Sequence, residues 1–407
     1  MKKLEAAFPR ILGVFGFLSI LFHNFAVFRF ADRAFTVPDI LIPIILIIIV
    51  IIGRFNKKRL FISAGLIFGI PLLSMIISVS LAESMNSFLP VLLYGTFFSL
   101  YFSATNIDTK ALVKGFLTAM VLAVIFGLLQ YVLINMKIAT DRWVVYPFGE
   151  RTAFGFGLFR GVKSGSWRAN SIFWEPSMLG LFSAAAFILD YHINRKEKIR
   201  KIIYLVGVIL SYSTTAYIVI AVCVIYILIP KTKSKLLKAY VFLIILLPVF
   251  LLLLSLSPRV INAFGRVSEL SNQHSSGYAR ISAPLELTRH VLATKPLGLG
   301  LGAADHYLRF LAPPDLSRQF AGDRAVHNSF FLLIIWFGFG SVFYFIFYLR
   351  LFLSTGITHS VYLFLLVLFF LLGTGAITMF VSWLLLALAL PLAFQYTDEV
   401  HENTLDN

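Results

Sequence analysis

The chain has 407 residues, of which 59% are hydrophobic and 13% are charged, and its mean hydropathy is +0.88. Soluble domains are closer to half apolar and a quarter charged, so this composition excludes an ordinary soluble protein. The net charge of +16 is spread over loops and not gathered in a compact basic domain, which excludes a nucleic-acid-binding protein. The one cysteine, Cys223, lies in an apolar run and excludes an internal disulfide.

Repeated apolar runs predict an all-α, polytopic membrane protein with about twelve transmembrane helices. The first run follows Met-Lys-Lys and lacks a small-residue cleavage site, so we expect a retained helix and not a signal peptide. In chain order the spans are predicted at about 11–28, 38–53, 60–81, 88–104, 111–136, 171–190, 202–212, 214–230, 239–257, 328–349, 360–376 and 378–396.

Loops rich in Lys and Arg set the predicted orientation, because such loops stay on the cytoplasmic side. They are residues 53–59, 195–201 and 231–238, and both termini are then cytoplasmic. The run Ile202–Ile229 is too short for two full spans. We predict two short helices meeting at residues 211–215, in a break that lines a cavity or is covered by protein. One long tilted helix, which inverts the topology downstream, is the alternative.

Two extracytoplasmic loops stand out from the membrane domain. Residues 1–257 hold spans one to nine and include the loop 137–170, residues 258–326 form a large loop between spans nine and ten, and residues 327–407 hold the last three spans and a cytoplasmic tail. The two loops carry fourteen basic residues, eleven of them Arg, whose planar fork matches phosphate or carboxylate. The outer face is therefore predicted to bind an anionic, lipid-linked substrate.

The first candidate motif is Arg168-Ala-Asn-Ser-Ile-Phe-Trp-Glu-Pro-Ser-Met-Leu-Gly180. Pro176 suits the first turn of a helix, and Glu175 then lies at its N-terminus, where the helix dipole favours a carboxylate. Two interpretations of Glu175 stay open. It is a helix cap paired with an Arg, or it is a carboxylate that orients a catalytic Arg or contacts sugar hydroxyls.

The second motif lies in the large loop. Ser276-Gly-Tyr-Ala-Arg280 precedes a helical pattern from about Arg280 to Ala293, which carries Arg289. The run Pro296-Leu-Gly-Leu-Gly-Leu-Gly302 follows, and its glycines predict a turn beside the membrane and not a dinucleotide-binding loop, since no strand precedes it.

The third motif is Arg324-Ala-Val-His-Asn-Ser329, which leads into a span. The dipole at a helix N-terminus favours neutral His327, which could therefore accept a proton near neutral pH. Simple interfacial polarity is the alternative for this residue. The eight His are scattered, and the loop carboxylates are interleaved with Arg, so we expect no metal site.

The order of these motifs resembles the O-antigen polymerase and O-antigen ligase superfamily (Wzy-type polysaccharide polymerases), integral membrane glycosyltransferases of bacterial envelopes. The matching elements lie between about residues 140 and 350. They are Arg168 before residues 173–180, the Ser-Gly-x-x-Arg280 stretch, Pro296–Gly302 and His327-Asn-Ser-Phe-Phe. Glu-Pro-Ser stands where the superfamily often has Asn-Pro-Asn, a variant associated with polymerases more than ligases, and this leaves the acceptor open.

The resemblance implies a metal-independent, inverting transferase that needs no cofactor. It implies polymerisation of undecaprenyl-diphosphate-linked oligosaccharide repeat units into O-antigen, capsule or exopolysaccharide, on the outer face of the bacterial inner membrane. The implied roles are diphosphate binding for Arg168, Arg280, Arg289 and Arg324, general-base catalysis for His327, and a catalytic contribution from Glu175. Membrane lipids and a chain-length regulator protein are the further expected partners.

Three alternatives remain at this stage. An O-antigen ligase of the same superfamily transfers the glycan to lipid A-core. A flippase or other transporter of lipid-linked oligosaccharide belongs to a different class, but such proteins usually place ionisable residues near the middle of their spans, and these spans have almost none. The third is a non-enzymatic scaffold in an envelope assembly complex.

Overall fold

The computed structural model describes residues 2–22, 26–30, 33–136, 169, 171–173, 176–193, 197–213, 216–217, 219–221, 278–320, 326, 328–353, 376–378, 380 and 382–390. These residues belong to two compact units. Unit 1 combines Met1–Ala119 with Ser271–Asn407, and unit 2 is Met120–Leu270.

The described chain is mostly helical. In order, its elements are α1 (Lys2–Leu21), β1 (Ala26–Phe30), β2 (Arg33–Thr36), α2 (Val37–Ile52), α3 (Lys57–Ala64), a π-turn (Gly65–Gly69), α4 (Ile70–Ile76), α5 (Leu81–Ser103), α6 (Thr109–Asn135), α7 (Pro176–Ile193), α8 (Lys198–Ser211), a second π-turn (Tyr278–Ser282), α9 (Ala283–Thr294), α10 (Ala304–Phe310), α11 (Pro314–Gln319), α12 (Ser329–Phe337), a 3₁₀ turn (Gly338–Gly340), α13 (Ser341–Leu353) and a 3₁₀ turn (Ala376–Thr378). Residues 382–390 are also helical.

Five helical runs are long and apolar enough to cross a membrane. They are Lys3–Leu21, Lys57–Ile76, Leu81–Ser103, Thr109–Leu133 and Ser329–Arg350. Large apolar side chains on their surfaces are exposed, as expected where a helix faces lipid. A mostly helical membrane protein is therefore confirmed. The count of twelve spans stays a prediction, because the predicted span at 239–257 and residues 360–375 of the predicted span at 360–376 lie outside the described residues, as does Cys223.

The prediction for the end of the first span is wrong. Helix α1 ends at Leu21 and does not continue to residue 28, because Ala26–Phe30 forms β1 and pairs antiparallel with β2. His23 and Asn24, which are weaker helix formers than the preceding apolar residues, follow the end of the helix in the sequence. Hydropathy alone counted the Val and Phe of the strand as part of the span.

One end of the membrane helices of unit 1 is fixed by hydrogen bonds between loops, and we call it the basic end because it carries residues 54–59. Asn56 donates its backbone N–H to the carbonyl of Ser103 at 2.8 Å, and Thr105 donates to the carbonyl of Arg54 at 2.8 Å. The Asn106 side chain accepts from the Arg54 N–H at 2.7 Å and donates to the Ile52 carbonyl at 2.9 Å. The ends of α2 and α5 and the start of α3 are therefore level here. The opposite end is called the far end.

In unit 2, α7 and α8 pack closely through small residues. A side chain at Gly180 would overlap Ser211, and one at Gly207 would overlap Ser183. Helix α8 ends at Ser211, and Tyr212 adopts a left-handed conformation with φ 46°. The predicted interruption at 211–215 is confirmed, and one uninterrupted helix is excluded. Ser211 is fully buried, as expected for irregular backbone at membrane depth.

Candidate functional site

The arginine-rich segment after residue 277 folds into short helices in the part of the chain that the structure describes. The predicted helix at about 280–293 is confirmed, since the π-turn Tyr278–Ser282 leads into α9. Helix α9 buries Leu287, Thr288 and Val291 on one face. Arg289 lies on the exposed face. Arg280 lies in the π-turn, four residues before Pro284, so both predicted cations of this segment occur within about three helical turns.

Arg289 differs from the other arginines of this segment in its environment. Arg309 is paired with Asp305 at 2.6 Å and Arg318 with Asp315 at 3.7 Å, each within its own helix. Among the described residues, Arg289 has neither an acidic partner nor a hydrogen-bond acceptor for its guanidinium group. Its charge is therefore available to an anion from outside, whereas those of Arg309 and Arg318 are partly compensated.

A polar contact fixes α10 against α9. His290 Nε2 and the Tyr307 hydroxyl form a hydrogen bond of 2.8 Å, and Thr294 donates its hydroxyl to the His290 carbonyl at 2.8 Å. Burial raises the pKa of Tyr307, so its hydroxyl stays protonated across the neutral range. The contact therefore holds α9 against α10 and leaves the exposed face of α9, which carries Arg289, uncovered by α10.

The glycine-rich run Pro296–Gly302 joins this helical segment to the membrane helices, and its turn structure is confirmed. Leu299 accepts a hydrogen bond from the Val79 N–H, 3.0 Å away, at the turn between α4 and α5. On its other side, Leu299 and Gly300 donate to the carbonyls of Ile335 and Trp336, at 2.9 and 3.0 Å. The run is therefore held between two membrane helix pairs by backbone hydrogen bonds.

Three positions of this run require glycine. Gly298, Gly300 and Gly302 have φ values of 90°, 95° and 74°, a region that disfavours side chains. A side chain at Gly300 would overlap Ser78, and one at Gly302 would overlap Ser87. Leu299 and Leu301, which alternate with them, are fully buried. The alternation of Leu and Gly thus reflects a buried, tightly packed backbone.

Helices α9 and α12 run in the same direction. They pack against each other, and their C-terminal ends meet where Phe339 donates its N–H to the Pro296 carbonyl at 3.0 Å. Their N-terminal ends therefore also lie on the same side. Since Ile335 is level with the α4–α5 turn through the glycine run, the start of α12 projects about 9 Å beyond that turn.

The start of α12 is fixed by a cap. The Asn328 side chain accepts the Phe330 N–H at 3.0 Å, and both Asn328 and Ser329 are buried. This agrees with the predicted helix start directly after His327. Asn328 could have been predicted as a cap, because Asn before an apolar run is a common helix start signal.

A second candidate segment lies in unit 2. Helix α7 begins at Pro176, as predicted, directly after Glu175. Ala169, next to Arg168, donates its N–H to the Leu210 carbonyl at 3.1 Å, and the Ser171 N–H donates to the Gln130 side chain at 2.9 Å. Gln130 was not predicted as part of this segment, because its only signal in the sequence is that of a polar residue near the end of an apolar run.

The predicted catalytic set is described only in part. Arg168, Glu175, Arg324 and His327 lie outside the described residues. For Arg280 only the backbone is described. Their roles stay predictions. In the described ranges, no group of three or more His, Cys, Asp or Glu side chains could hold a metal ion.

Comparison with known proteins identifies the family. Residues 11–394 match the family model described as WcaD colanic acid polymerase, a Wzy-type family of O-antigen and exopolysaccharide polymerases. Neither the curated proteins nor the solved structures give a match to this chain. The family model covers nearly the whole chain, including all three sequence motifs, and polymerisation of repeat units in polysaccharide synthesis is the activity that it assigns. The chain belongs to the WcaD colanic acid polymerase family.

Proposed function

We propose that this membrane protein polymerises undecaprenyl-diphosphate-linked oligosaccharide repeat units on the outer face of the bacterial inner membrane. The basic end is cytoplasmic in this proposal, since Arg54, Lys57, Lys58 and Arg59 cluster there and such clusters stay inside. The far end, with the glycine run and the start of α12, then faces outward. Both termini are cytoplasmic.

One structural observation carries the proposal. Helices α9 and α12 pack in parallel, with their C-terminal ends joined by the glycine run. The start of α9, which follows Arg280, and the start of α12, which follows His327, therefore lie on the same side, although more than thirty residues separate them in sequence. A transferase needs cations and a base around one reacting centre, and this arrangement supports the proposal that Arg280, Arg289 and His327 supply them.

The chemistry assigns a role to each group. Attack by a sugar hydroxyl on the anomeric carbon breaks its bond to the lipid diphosphate, which leaves with the bonding electrons. Arg280 and Arg289, assisted by Arg168 and Arg324, stabilise the developing diphosphate charge. His327 takes the proton of the attacking hydroxyl, and Glu175 orients an arginine. One displacement inverts the anomeric configuration, and the diphosphate already activates the donor, so no cofactor or metal is required.

Arg289 provides the most direct test, because Arg309 offers a matched control on the same segment. The assay uses purified protein in liposomes with a synthetic lipid-diphosphate-linked repeat unit, and the products are separated by length. We expect Arg289→Gln to slow polymer formation about tenfold to a hundredfold, since it removes one charge-assisted contact to the leaving group. Arg309→Gln, whose charge is compensated by Asp305, should polymerise like the parent.

His327→Gln extends the same assay to the proposed base. Gln keeps hydrogen bonding but cannot take up a proton, so polymer should disappear while the amount of inserted protein stays constant. Polymer formation by His327→Gln at the parent rate contradicts the base assignment. Transfer to lipid A-core in place of a second repeat unit identifies a ligase, and movement of the intact lipid across the bilayer without transfer identifies a transporter.

A further inference from the structure

Helix α8 of unit 2 ends inside the membrane. Its first turn carries Lys198, Arg200 and Lys201, whose charges belong at the water boundary. With a rise of about 1.5 Å per residue, Leu210 lies at most about 18 Å from Lys198, whereas the hydrocarbon core is about 30 Å thick. A tilt of α8 only shortens the distance along the membrane normal. Leu210 therefore lies within the hydrocarbon core.

A non-helical stretch of the chain reaches the same depth. Ala169 donates its N–H to the Leu210 carbonyl at 3.1 Å, so its backbone is as deep as the end of α8. Ala169 and Phe173 are fully buried, and Ser171 is 2% exposed. We call Ala169 and Ser171–Phe173, which precede α7, the anchored segment.

The anchored segment is attached to its neighbours by polar and apolar contacts. The Gln130 side chain accepts the Ser171 N–H at 2.9 Å, and the Ser171 hydroxyl donates to the Ala123 carbonyl of α6. The Phe173 ring stacks on Phe182 of α7, with centroids 5.2 Å apart. A backbone N–H at membrane depth needs a partner from the protein, because lipid offers none. Gln130, which is 2% exposed, is that partner for Ser171.

Backbone strain is concentrated at this junction. In the part of the chain that the structure describes, Ser171 and Tyr212 are the non-glycine residues with positive φ, at 54° and 46°. Tyr212 ends α8, two residues after Leu210, which accepts the hydrogen bond from Ala169. The two strained residues therefore lie on either side of one hydrogen bond. Such conformations are costly and cluster where function requires a defined geometry.

The packing of the surrounding helices does not depend on Gln130. A side chain at Gly207 of α8 would overlap both Ser183 of α7 and Val124 of α6, so the three helices meet closely at that level. Gln130 lies on α6 beyond this meeting point, and its side chain bonds the anchored segment. Its loss should therefore release the segment and leave the three helices together.

We propose that Gln130 is a positioning residue for polymerisation, which holds the anchored segment in its strained conformation at membrane depth. The link to polymerisation rests on the proposed function, because the anchored segment lies between Arg168 and Glu175 in the sequence, and that function assigns roles to both. A fixed backbone between two reacting groups restricts the positions that they can take, and small displacements of such groups slow a reaction strongly.

Gln130→Met tests the role in the reaction, since methionine has a similar length but offers no amide oxygen. In the polymerisation assay kcat should fall about tenfold or more, and KM for the lipid-linked repeat should change less. Ser183→Ala is the control. It changes a fully buried hydroxyl that has no hydrogen-bond partner among the described residues, and it should polymerise like the parent. A parent-like kcat in Gln130→Met overturns the positioning role.

A reversible cross-link tests whether the position of the segment is what matters. A Cβ atom at Gly127 of α6 would lie 3.4 Å from the Ser171 Cβ, close to the separation of about 3.8 Å found in disulfides. In a Cys223→Ser background, oxidised Gly127→Cys/Ser171→Cys should therefore attach the segment to α6 without Gln130.

The cross-link should make Gln130 dispensable. Oxidation should restore polymerisation by Gln130→Met to the rate of the same cross-linked protein that retains Gln130, and reduction with dithiothreitol should remove this gain. An oxidised Gln130→Met protein that stays as slow as the reduced one overturns the proposal. Inactivity of the cross-linked protein that retains Gln130 also overturns it, because the segment then has to move during the reaction.

The rate of cross-linking separates this proposal from the proposed function, because it is measured without substrate. Gln130→Met should slow the oxidation of Gly127→Cys/Ser171→Cys, since the released segment spends less time beside α6. Equal rates with and without Gln130 overturn the anchoring. A parent protein that fails to polymerise, together with slower cross-linking in Gln130→Met, contradicts the proposed function and leaves the anchoring by Gln130 supported.

Discussion

The far ends of two neighbouring helix pairs in unit 1 are built in opposite ways. The α4–α5 turn is sealed, because the glycine run packs onto it with buried leucines and a continuous set of backbone hydrogen bonds. The α1–α2 connection contains a two-stranded hairpin that leads directly into α2, a helix of 16 residues, whereas α5 has 23. Close backbone packing excludes both lipid and water, whereas a hairpin leaves polar backbone to be solvated.

This difference separates an end whose backbone is held by close packing from an end whose backbone is not packed in this way. At the sealed end, three left-handed glycines hold α9 and α12 in a defined arrangement, as a catalytic centre needs. At the hairpin, Asp39 closes only the base. Variants at the sealed end should therefore change stability most, variants at the hairpin less, and a variant away from both ends least.

The largest effect is expected at the sealed end. Gly302→Ala places a methyl group against Ser87 at a backbone φ of 74°, so left-handed strain and overlap add up to about 2–5 kcal/mol of lost stability. We expect little folded protein after extraction in mild detergent, measured by size-exclusion chromatography. Ser87→Gly removes the overlapping side chain and should partly restore Gly302→Ala. No restoration by the double variant contradicts the packing argument.

The base of the hairpin should give the next largest effect. Asp39→Asn removes the buried charge and replaces one of the two acceptor oxygens by a donor group, so the amide cannot accept from the Thr36 N–H, the Thr36 hydroxyl and the Tyr94 hydroxyl together. The loss costs about 1–3 kcal/mol. The unfolding temperature of the detergent-solubilised protein should fall. Asp108→Asn offers a control, since it is a carboxylate at the exposed basic end, where its side chain accepts only the Lys110 N–H. Equal unfolding temperatures for Asp39→Asn and the parent contradict the closure of the hairpin by Asp39.

The sequence predicted the sealed end better than the hairpin, for a physical reason. A turn is predicted by Gly298, Gly300 and Gly302, because only glycine adopts positive φ easily. The helical period of the apolar residues in α9 is likewise a local signal. The position of the hairpin relative to α5 depends on the length of α2, and hence on a comparison of separate helices. A hydropathy average over a window of residues contains no information about the relative lengths of separate helices.

The candidate site was predictable to the same degree. Local signals gave the helix starts at Pro176 and Ser329 and the exposed arginine of α9. The parallel packing of α9 and α12 could not be predicted, because it depends on hydrogen bonds between Pro296–Gly300 and residues 335–339. Tertiary contacts of this kind leave no periodic signal in the chain. The pairing of Arg309 and Arg318 with nearby carboxylates, by contrast, is local, since it follows the i,i+4 and i,i+3 spacing of a helix.

A smaller effect is expected from the residue that joins the hairpin to α2. Thr36→Ala removes one of the two donors to Asp39 Oδ2 but keeps the backbone N–H that supplies the other. Loss of such a cap costs about 1 kcal/mol. The unfolding temperature should therefore fall less than in Asp39→Asn. Thr118→Ala, which removes a hydroxyl bond to the Lys114 carbonyl on the exposed face of α6, is the matched control and should change little. A larger loss in Thr36→Ala than in Asp39→Asn contradicts the central place of the carboxylate.

The smallest effect, of opposite sign, is expected away from both ends. Gly65 is the first residue of the π-turn between α3 and α4 and has a right-handed conformation, with φ −59°. A side chain there meets no neighbouring atom. Gly65→Ala should therefore raise the free energy of unfolding by up to about 1 kcal/mol, because alanine loses less backbone entropy in a helix than glycine does. Thermal unfolding in detergent measures the change. Gly95→Ala, on the adjacent helix α5, is the matched control, since its methyl group would overlap the Ile67 side chain and should lower stability. A loss of stability in Gly65→Ala as large as that in Gly95→Ala shows that the π-turn, like the sealed end, depends on its glycine.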